Sequence, residues 1–185
     1  REPLENGTIT ISRAARRSEF PARFQLIAAM NPCPCGYLGS TLKACRCTPD
    51  QVLRYQGRLS GPLLDRIDLH VEVPALAASE LLNAPPGEGT ANIRTRCTQA
   101  RERALARQGK PNQALQGRDI DAHAGLDPAA VKFLNTAAAR MGWSGRAIHR
   151  ALKVARTIAD LADAPATQVA HVAEAVQYRR ALRSA

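Results

Sequence analysis

The sequence predicts a mixed α/β segment followed by an all-α helical bundle. Three observations carry this. Strand-like alternation and apolar runs are confined to residues 1–75, a Pro/Gly-rich stretch closes residues 76–89, and four amphipathic helical patterns fill residues 90–185. The 185 residues carry 26 Lys plus Arg against 16 Asp plus Glu, a formal net charge of +10. The 45% hydrophobic fraction is that of a globular chain and argues against wholesale disorder.

The elements follow in order. Arg1 to Gly7 reads like the end of a helix, and the chain opens on Arg1 rather than Met, so a piece of a longer protein is expected. After the Asn6-Gly7 turn, Thr8-Ile9-Thr10-Ile11 alternates as a strand, and a basic stretch with Arg13, Arg16 and Arg17 follows. Phe24 to Met30 is nearly continuously apolar, the pattern of a strand buried on both faces, and Asn31-Pro32 breaks it. Thr48-Pro49 and Ser60-Gly61-Pro62 are cap-plus-proline signals for two short helices. Ile67, Leu69, Val71 and Val73 alternate with Asp68, His70 and Glu72 as a half-buried strand closed by Pro74. Pro85-Pro86-Gly87-Glu88-Gly89 reads as a linker.

Beyond it, Thr90 caps a helix with apolar positions Ile93, Cys97, Ala100 and Ala104, stopped at Gly109. Asp127-Pro128 starts a second, with Val131, Leu134 and Ala138 on one face. Ser144 caps a third, whose stripes Ile148, Leu152, Ala155, Ala159 and Ala151, Val154, Ile158, Leu161 lie side by side. Arg146, Arg150, Lys153, Thr157 and Asp160 fall opposite them. The last helix carries Val169, Val172, Ala173 and Val176. This helical half is expected to fold independently.

Charge and composition bound the function. Only four basic residues are Lys (Lys43, Lys110, Lys132, Lys153), so the balance rests on Arg, whose planar fork pairs bidentately with phosphate. The charge suits a polyanion such as nucleic acid and equally suits mere solubility. No apolar stretch approaches the roughly 18 residues of a membrane span, and no secretory signal opens the chain. Five Cys with no such signal in this sequence point to a reducing compartment, and the cytoplasm is expected. The 185 residues contain no G-x-x-x-x-G-K-[ST] loop, no acidic pair after an apolar strand to hold Mg²⁺ and no nucleophile elbow. His70, His123, His149 and His171 have no triad-like neighbours and read as structural.

Four thiols cluster in sequence as Cys33-Pro34-Cys35 and Cys45-Arg46-Cys47, with Gly36 and Gly39 permitting a tight loop. Four thiolates suit a structural tetrahedral Zn²⁺, and free or disulfide-linked cysteines are the alternative. Cys97 stands alone on an apolar helical face and reads as core. Asn31, just past the carboxyl end of the apolar run, can orient a water or touch a phosphate, or can simply form a turn before Pro32. Arg66 can reach a phosphate on another subunit or pair with Asp65 or Asp68, and Arg58 is its rival. Arg146 in the first turn of its helix opposes the helix dipole, so something other than helix stability favours it.

The strings Phe20-Pro21-Ala22-Arg23-Phe24, Ala28-Ala29-Met30-Asn31-Pro32-Cys33-Pro34-Cys35-Gly36 and Arg58-Leu59-Ser60-Gly61-Pro62-Leu63-Leu64-Asp65-Arg66-Ile67-Asp68 resemble the magnesium-chelatase-like AAA+ ATPases of the ComM/YifB type. Ser144-Gly145-Arg146 and Lys153 through Leu161 resemble their C-terminal helical domain. The resemblance implies that residues 1–75 are the C-terminal portion of an AAA+ core and residues 90–185 its helical lid. It implies ATP and Mg²⁺ as cofactors, with the phosphate-binding loop lying upstream, so that this chain alone is inactive. Asn31 resembles the sensor-1 residue that positions the attacking water, Arg66 the arginine finger and Arg146 the sensor-2 arginine. A ring, hexameric by resemblance, is implied. So is a hairpin over Thr8–Phe20 whose Arg13, Arg16 and Arg17 face DNA, or else sit in solvent or at a subunit contact. Members of this type are associated with DNA branch migration in natural transformation. The alternatives are a metal-insertion ATPase subunit like that of magnesium chelatase, and a non-enzymatic, zinc-clipped, basic nucleic-acid-binding module.

Overall fold

Short-range signals set the local structure wherever caps and turns are strong. A computed structural model of the chain describes residues 3–4, 7–13, 16–77 and 82–179. Most of the Arg1–Gly7 helix end and residues 78–81 of the expected linker lie outside the described residues. The chain forms two compact units: Arg1–Ile67 with Val73–Leu82, and Asp68–Glu72 with Asn83–Ala185.

In the first unit, β1 (Thr8–Arg13) and β2 (Arg16–Pro21) form an antiparallel hairpin in which Thr8 faces Pro21 and Arg13 faces Arg16. Helix α1 (Pro49–Gln56) begins in a capping box. The Thr48 hydroxyl accepts from the Gln51 N–H at 3.3 Å, and the Gln51 side chain accepts from the Thr48 N–H at 3.0 Å. Helix α2 (Gly61–Leu64) is capped by the Ser60 hydroxyl. Both proline signals thus yield helices.

The two long strands expected from apolar patterning do not form. Residues 24–30 join no sheet, with Phe24 56% and Ile27 83% exposed. Residues 67–73 likewise join none, and Val71 and Val73 are exposed. A strand exists only if a neighbour supplies a ladder of backbone partners, and among the described residues no strand lies beside these segments to do so. Asn31 therefore follows an exposed, irregular segment, not a buried strand.

The second unit is helical: α3 (Thr90–Gln108), a 3₁₀ turn (Asn112–Ala114), α4 (Arg118–Ala124), α5 (Pro128–Met141), α6 (Gly145–Leu161) and α7 (Val169–Gln177). Among the described residues that is one helix more than the sequence patterns predict, α4 being too short to show periodicity. Asp127 and Ser144 cap α5 and α6 as expected, whereas α3 starts from Gly89 with Thr90 already helical. Leu115, Ile120, Leu134, Leu152, Val172 and Val176 centre the core. On α5 the buried face is Ala130, Leu134 and Ala138, and Val131 turns outward. Cys97 is exposed, because the first ten residues of α3 are exposed throughout and burial begins only at Ala100.

Asp160 departs most from its sequence reading. Rather than facing solvent it is 1% exposed. Arg107 donates to both its carboxylate oxygens at 2.7 and 3.0 Å, Arg156 donates to Oδ1 at 2.8 Å, and the Asn112 amide donates to Oδ2 at 2.8 Å. Burial opposes ionisation, yet the donors from Arg107, Asn112 and Arg156 hold the carboxyl below its ordinary value. The cluster bolts α3 and the 3₁₀ turn to α6. No helix of the described residues is long and apolar enough to cross a membrane.

Candidate functional site

The four predicted cysteines converge. Cys33 follows the Asn31-Pro32 break, and the chain reverses twice at Gly36 (φ +81) and Gly39 (φ +77), left-handed conformations that a Cβ would strain. The Gly36 N–H donates to the Cys33 carbonyl at 3.0 Å, closing the first turn. The Gln56 amide at the end of α1 donates to the Pro32 carbonyl at 3.0 Å, fastening the loop's start to the helix that follows it.

The Cys33 and Cys35 sulfurs are 3.4 Å apart, Cys33 and Cys45 3.7 Å, and Cys35 and Cys45 3.6 Å. All four lie within 4.8 Å of one another. Four sulfurs at about 2.3 Å from one tetrahedral zinc would be about 3.8 Å apart, whereas a disulfide needs about 2.05 Å. The cluster therefore fits one tetrahedral metal ion and no disulfide, and four ligands leave no open coordination position.

The surroundings favour thiolate in part of the set. The backbone N–H groups of Arg46 and then Tyr37 hold the Cys35 thiol down to about 6. Burial resists ionisation of Cys33, but the Leu38 N–H with Cys45 and Cys47 outweighs it, and its thiol is lowered. The Cys35 N–H favours a Cys47 thiolate, yet desolvation and the three neighbouring thiols push Cys47 up to about 12. Four adjacent sulfurs cannot all carry charge unless a cation shares the space.

The basic hairpin presents Arg13 and Arg16 as a directly opposed pair, so both project from one face, while Arg17 sits opposite Ser12 on the other. All three are exposed. Like charges facing across a strand pair destabilise it, and an isolated two-stranded hairpin is marginal in water. A counter-anion relieves the first cost.

The remaining site residues divide between the units. Asn31 and Arg66 belong to the first. Asn31 is exposed, and its side chain lies alongside Gly36, where an added Cβ would stand 3.8 Å from Asn31 Cγ. Arg66 is half-buried and donates to the Pro62 carbonyl across α2. Arg58 is exposed just past α1. Arg146 belongs to the second unit, exposed in the first turn of α6. Asp68, offered by the sequence as a partner for Arg66, lies in the second unit and accepts from Arg150 at 2.7 Å. The cluster of half-buried Arg107 with buried Asp160 and Arg156 is not seen from the sequence. Its one sequence signal is the i,i+4 Arg156–Asp160 pair beside an apolar stripe.

Two sequence profiles match the chain in tandem: magnesium chelatase, subunit ChlI, over residues 1–81, and its C-terminal counterpart over residues 87–179. Competence protein ComM of Haemophilus influenzae is 46% identical over 184 residues, which is 99% of this chain and 36% of that protein. The uncharacterized protein YifB is 46% identical over 180 residues in Salmonella typhimurium and 44% identical over 180 residues in Escherichia coli. Each of these alignments takes in 97% of this chain and 35% of YifB. The chain thus spans about a third of the length of the curated relatives it matches.

Proposed function

Because the chain belongs to the magnesium chelatase ChlI family, we propose that it is the C-terminal part of an ATP-dependent AAA+ motor that acts on DNA. Residues 1–75 would be the end of the ATPase core and residues 90–185 the helical lid, joined through residues 76–89. The single observation that carries the DNA assignment is the exposed, directly opposed Arg13–Arg16 pair at the end of a hairpin. Such a pair gains by neutralising phosphate, whereas within the hairpin it only repels. The name of the Haemophilus relative, a competence protein, supports DNA as the partner.

ATP and Mg²⁺ are the cofactors that the family implies. The 185 residues contain no phosphate-cradling loop, so their part is confined to polar groups that reach toward phosphate. Asn31 would orient the attacking water, Arg146 would donate to phosphate from its own chain, and Arg66 would donate to a phosphate held by the adjacent subunit. Fixed guanidinium donors stabilise charge that develops on a transferring phosphoryl group, and one supplied from a neighbour is typically worth about 10³–10⁵ in rate. Activity would then depend on a ring, six subunits by family resemblance, in which six hairpins line a basic channel. The cysteine cluster would hold Zn²⁺ as a cross-link that shapes the loop after Asn31. It would take no part in hydrolysis.

DNA binding by the full-length protein tests the reading. The Arg13→Ala, Arg16→Ala, Arg17→Ala variant should bind DNA more weakly. It should also flatten the dependence of log K on log salt by about 0.9 for each phosphate left without its arginine. Unchanged affinity and slope would remove DNA from the hairpin and favour the metal-insertion ATPase reading.

A further inference from the structure

Residues 68–72 lie in sequence between the two segments of the first unit but pack with the second, where polar contacts hold them. Asp68 Oδ1 accepts from Arg150 Nη1 at 2.7 Å, and the His70 N–H donates to the Tyr178 carbonyl, just past α7, at 2.7 Å. The Arg150 side chain is 16% exposed and that of Asp68 55%. The segment expected to be a strand is a strap laid on the helical unit.

The strap's position in sequence gives the ion pair its interest. Asp68 lies two residues after Arg66, a step of about 7 Å in extended chain. Arg150 lies one helical turn after Arg146, at i,i+4 on one face of α6. Each member of the pair is therefore the near neighbour of an arginine proposed above to reach phosphate. A partly exposed ion pair makes only a small contribution to stability. That is little beside a unit whose core includes Leu115, Leu134, Leu152 and Val172. Its larger effect is geometric, because a misplacement of about 1 Å at a reacting centre can cost about 10²-fold in rate.

We propose that Asp68 and Arg150 are a positioning pair that ties the backbone after Arg66 to the lid helix bearing Arg146, so that the arginine offered to a neighbouring subunit is set by the state of the chain's own lid. This rests on the phosphate roles proposed above for Arg66 and Arg146. In a ring, it would make each subunit's lid closure a condition for turnover next door.

Steady-state ATP hydrolysis by the full-length protein tests it. Asp68→Ala and Arg150→Ala should each lower kcat about tenfold, and the double variant about tenfold rather than a hundredfold, since both break one contact. KM for ATP should stay within about twofold, and the melting temperature within about 4 °C. Arg150→Lys, which keeps the charge, should recover part of the loss. Should either alanine variant fail to fold, Asp68→Asn and Arg150→Gln carry the same comparison. Wild-type kcat in the single variants, or multiplicative losses in the double, would overturn the coupling. Arg66→Ala, run in parallel, separates the two ideas. Turnover that survives Arg66→Ala overturns the finger reading and this inference with it. Turnover abolished by Arg66→Ala but untouched by the pair overturns the coupling alone.

Discussion

Among the described residues the first unit buries two apolar side chains, Cys33 and Val52, whereas the second buries sixteen, centred on Leu115, Leu134, Leu152 and Val172. The first is organised by devices that act over a few residues: a hairpin, two capped helices and four sulfurs drawn together. The second is organised by packing between elements far apart in sequence, with α6 at its centre and Asp160 gathering Arg107, Asn112 and Arg156. The difference teaches where each unit is vulnerable. A unit without a core depends on its cross-links, and a unit with one tolerates the removal of any single surface ion pair.

Metal removal is the sharpest way to set the two units apart. Structural zinc contributes on the order of 10–16 kcal/mol of apparent binding free energy that is also folding free energy. Elemental analysis should find one zinc per chain. Chelation, or Cys33→Ser, should abolish hydrogen-exchange protection around residues 31–58 and leave that of α5 to α7 intact. Equal protection with and without metal would show that the cysteines do not hold the first unit.

The second unit should yield only to core lesions. Asp160→Ala strands Arg107 and Arg156 around an empty site and should cost about 3–5 kcal/mol in urea unfolding, as breaking one partner of a buried ion pair does. Leu152→Ala should cost about 2–5 kcal/mol through reduced burial and a cavity. Values below about 1 kcal/mol for both would mean that this unit is not held by its core.

A pH titration sharpens the contrast. The Asp160 carboxyl is lowered from its ordinary 3.8. Its contribution is therefore fully present above pH 3.8 and fades as pH falls below that toward the lowered native value. Asp160→Asn should flatten the acid limb of the second unit's unfolding curve, and an unaltered limb would assign acid sensitivity elsewhere. The smallest effect belongs to the first unit's caps: Thr48→Ala should cost about 1 kcal/mol, read as lower helicity of residues 49–56.

Much of the first unit's local structure was legible because its signals are contiguous. Thr48-Pro49 and Ser60-Gly61-Pro62 name helix starts, and the paired C-x-C spacings bring four sulfurs into one cluster. The apolar runs misled for a physical reason. Phe24–Met30 and Ile67–Val73 have the composition of strands, but strand formation is a property of a pair, and the partner is not legible in the run itself. Asp160 misled in the opposite sense. A carboxylate on the polar side of a helical wheel reads as solvated until Arg107, some fifty residues earlier, is brought against it.

The boundary runs by distance along the chain. Caps, breakers, net charge, thiol spacing and the 3.6-residue stripes of α5 to α7 are local, so the order of letters alone specifies them. Which apolar runs find cover, whether Cys97 meets a neighbour, that Asp160 is buried among arginines and that residues 68–72 lie on the helical unit depend on contacts between distant segments. Burial and charge pairing are relations between partners, and only the folded chain chooses them.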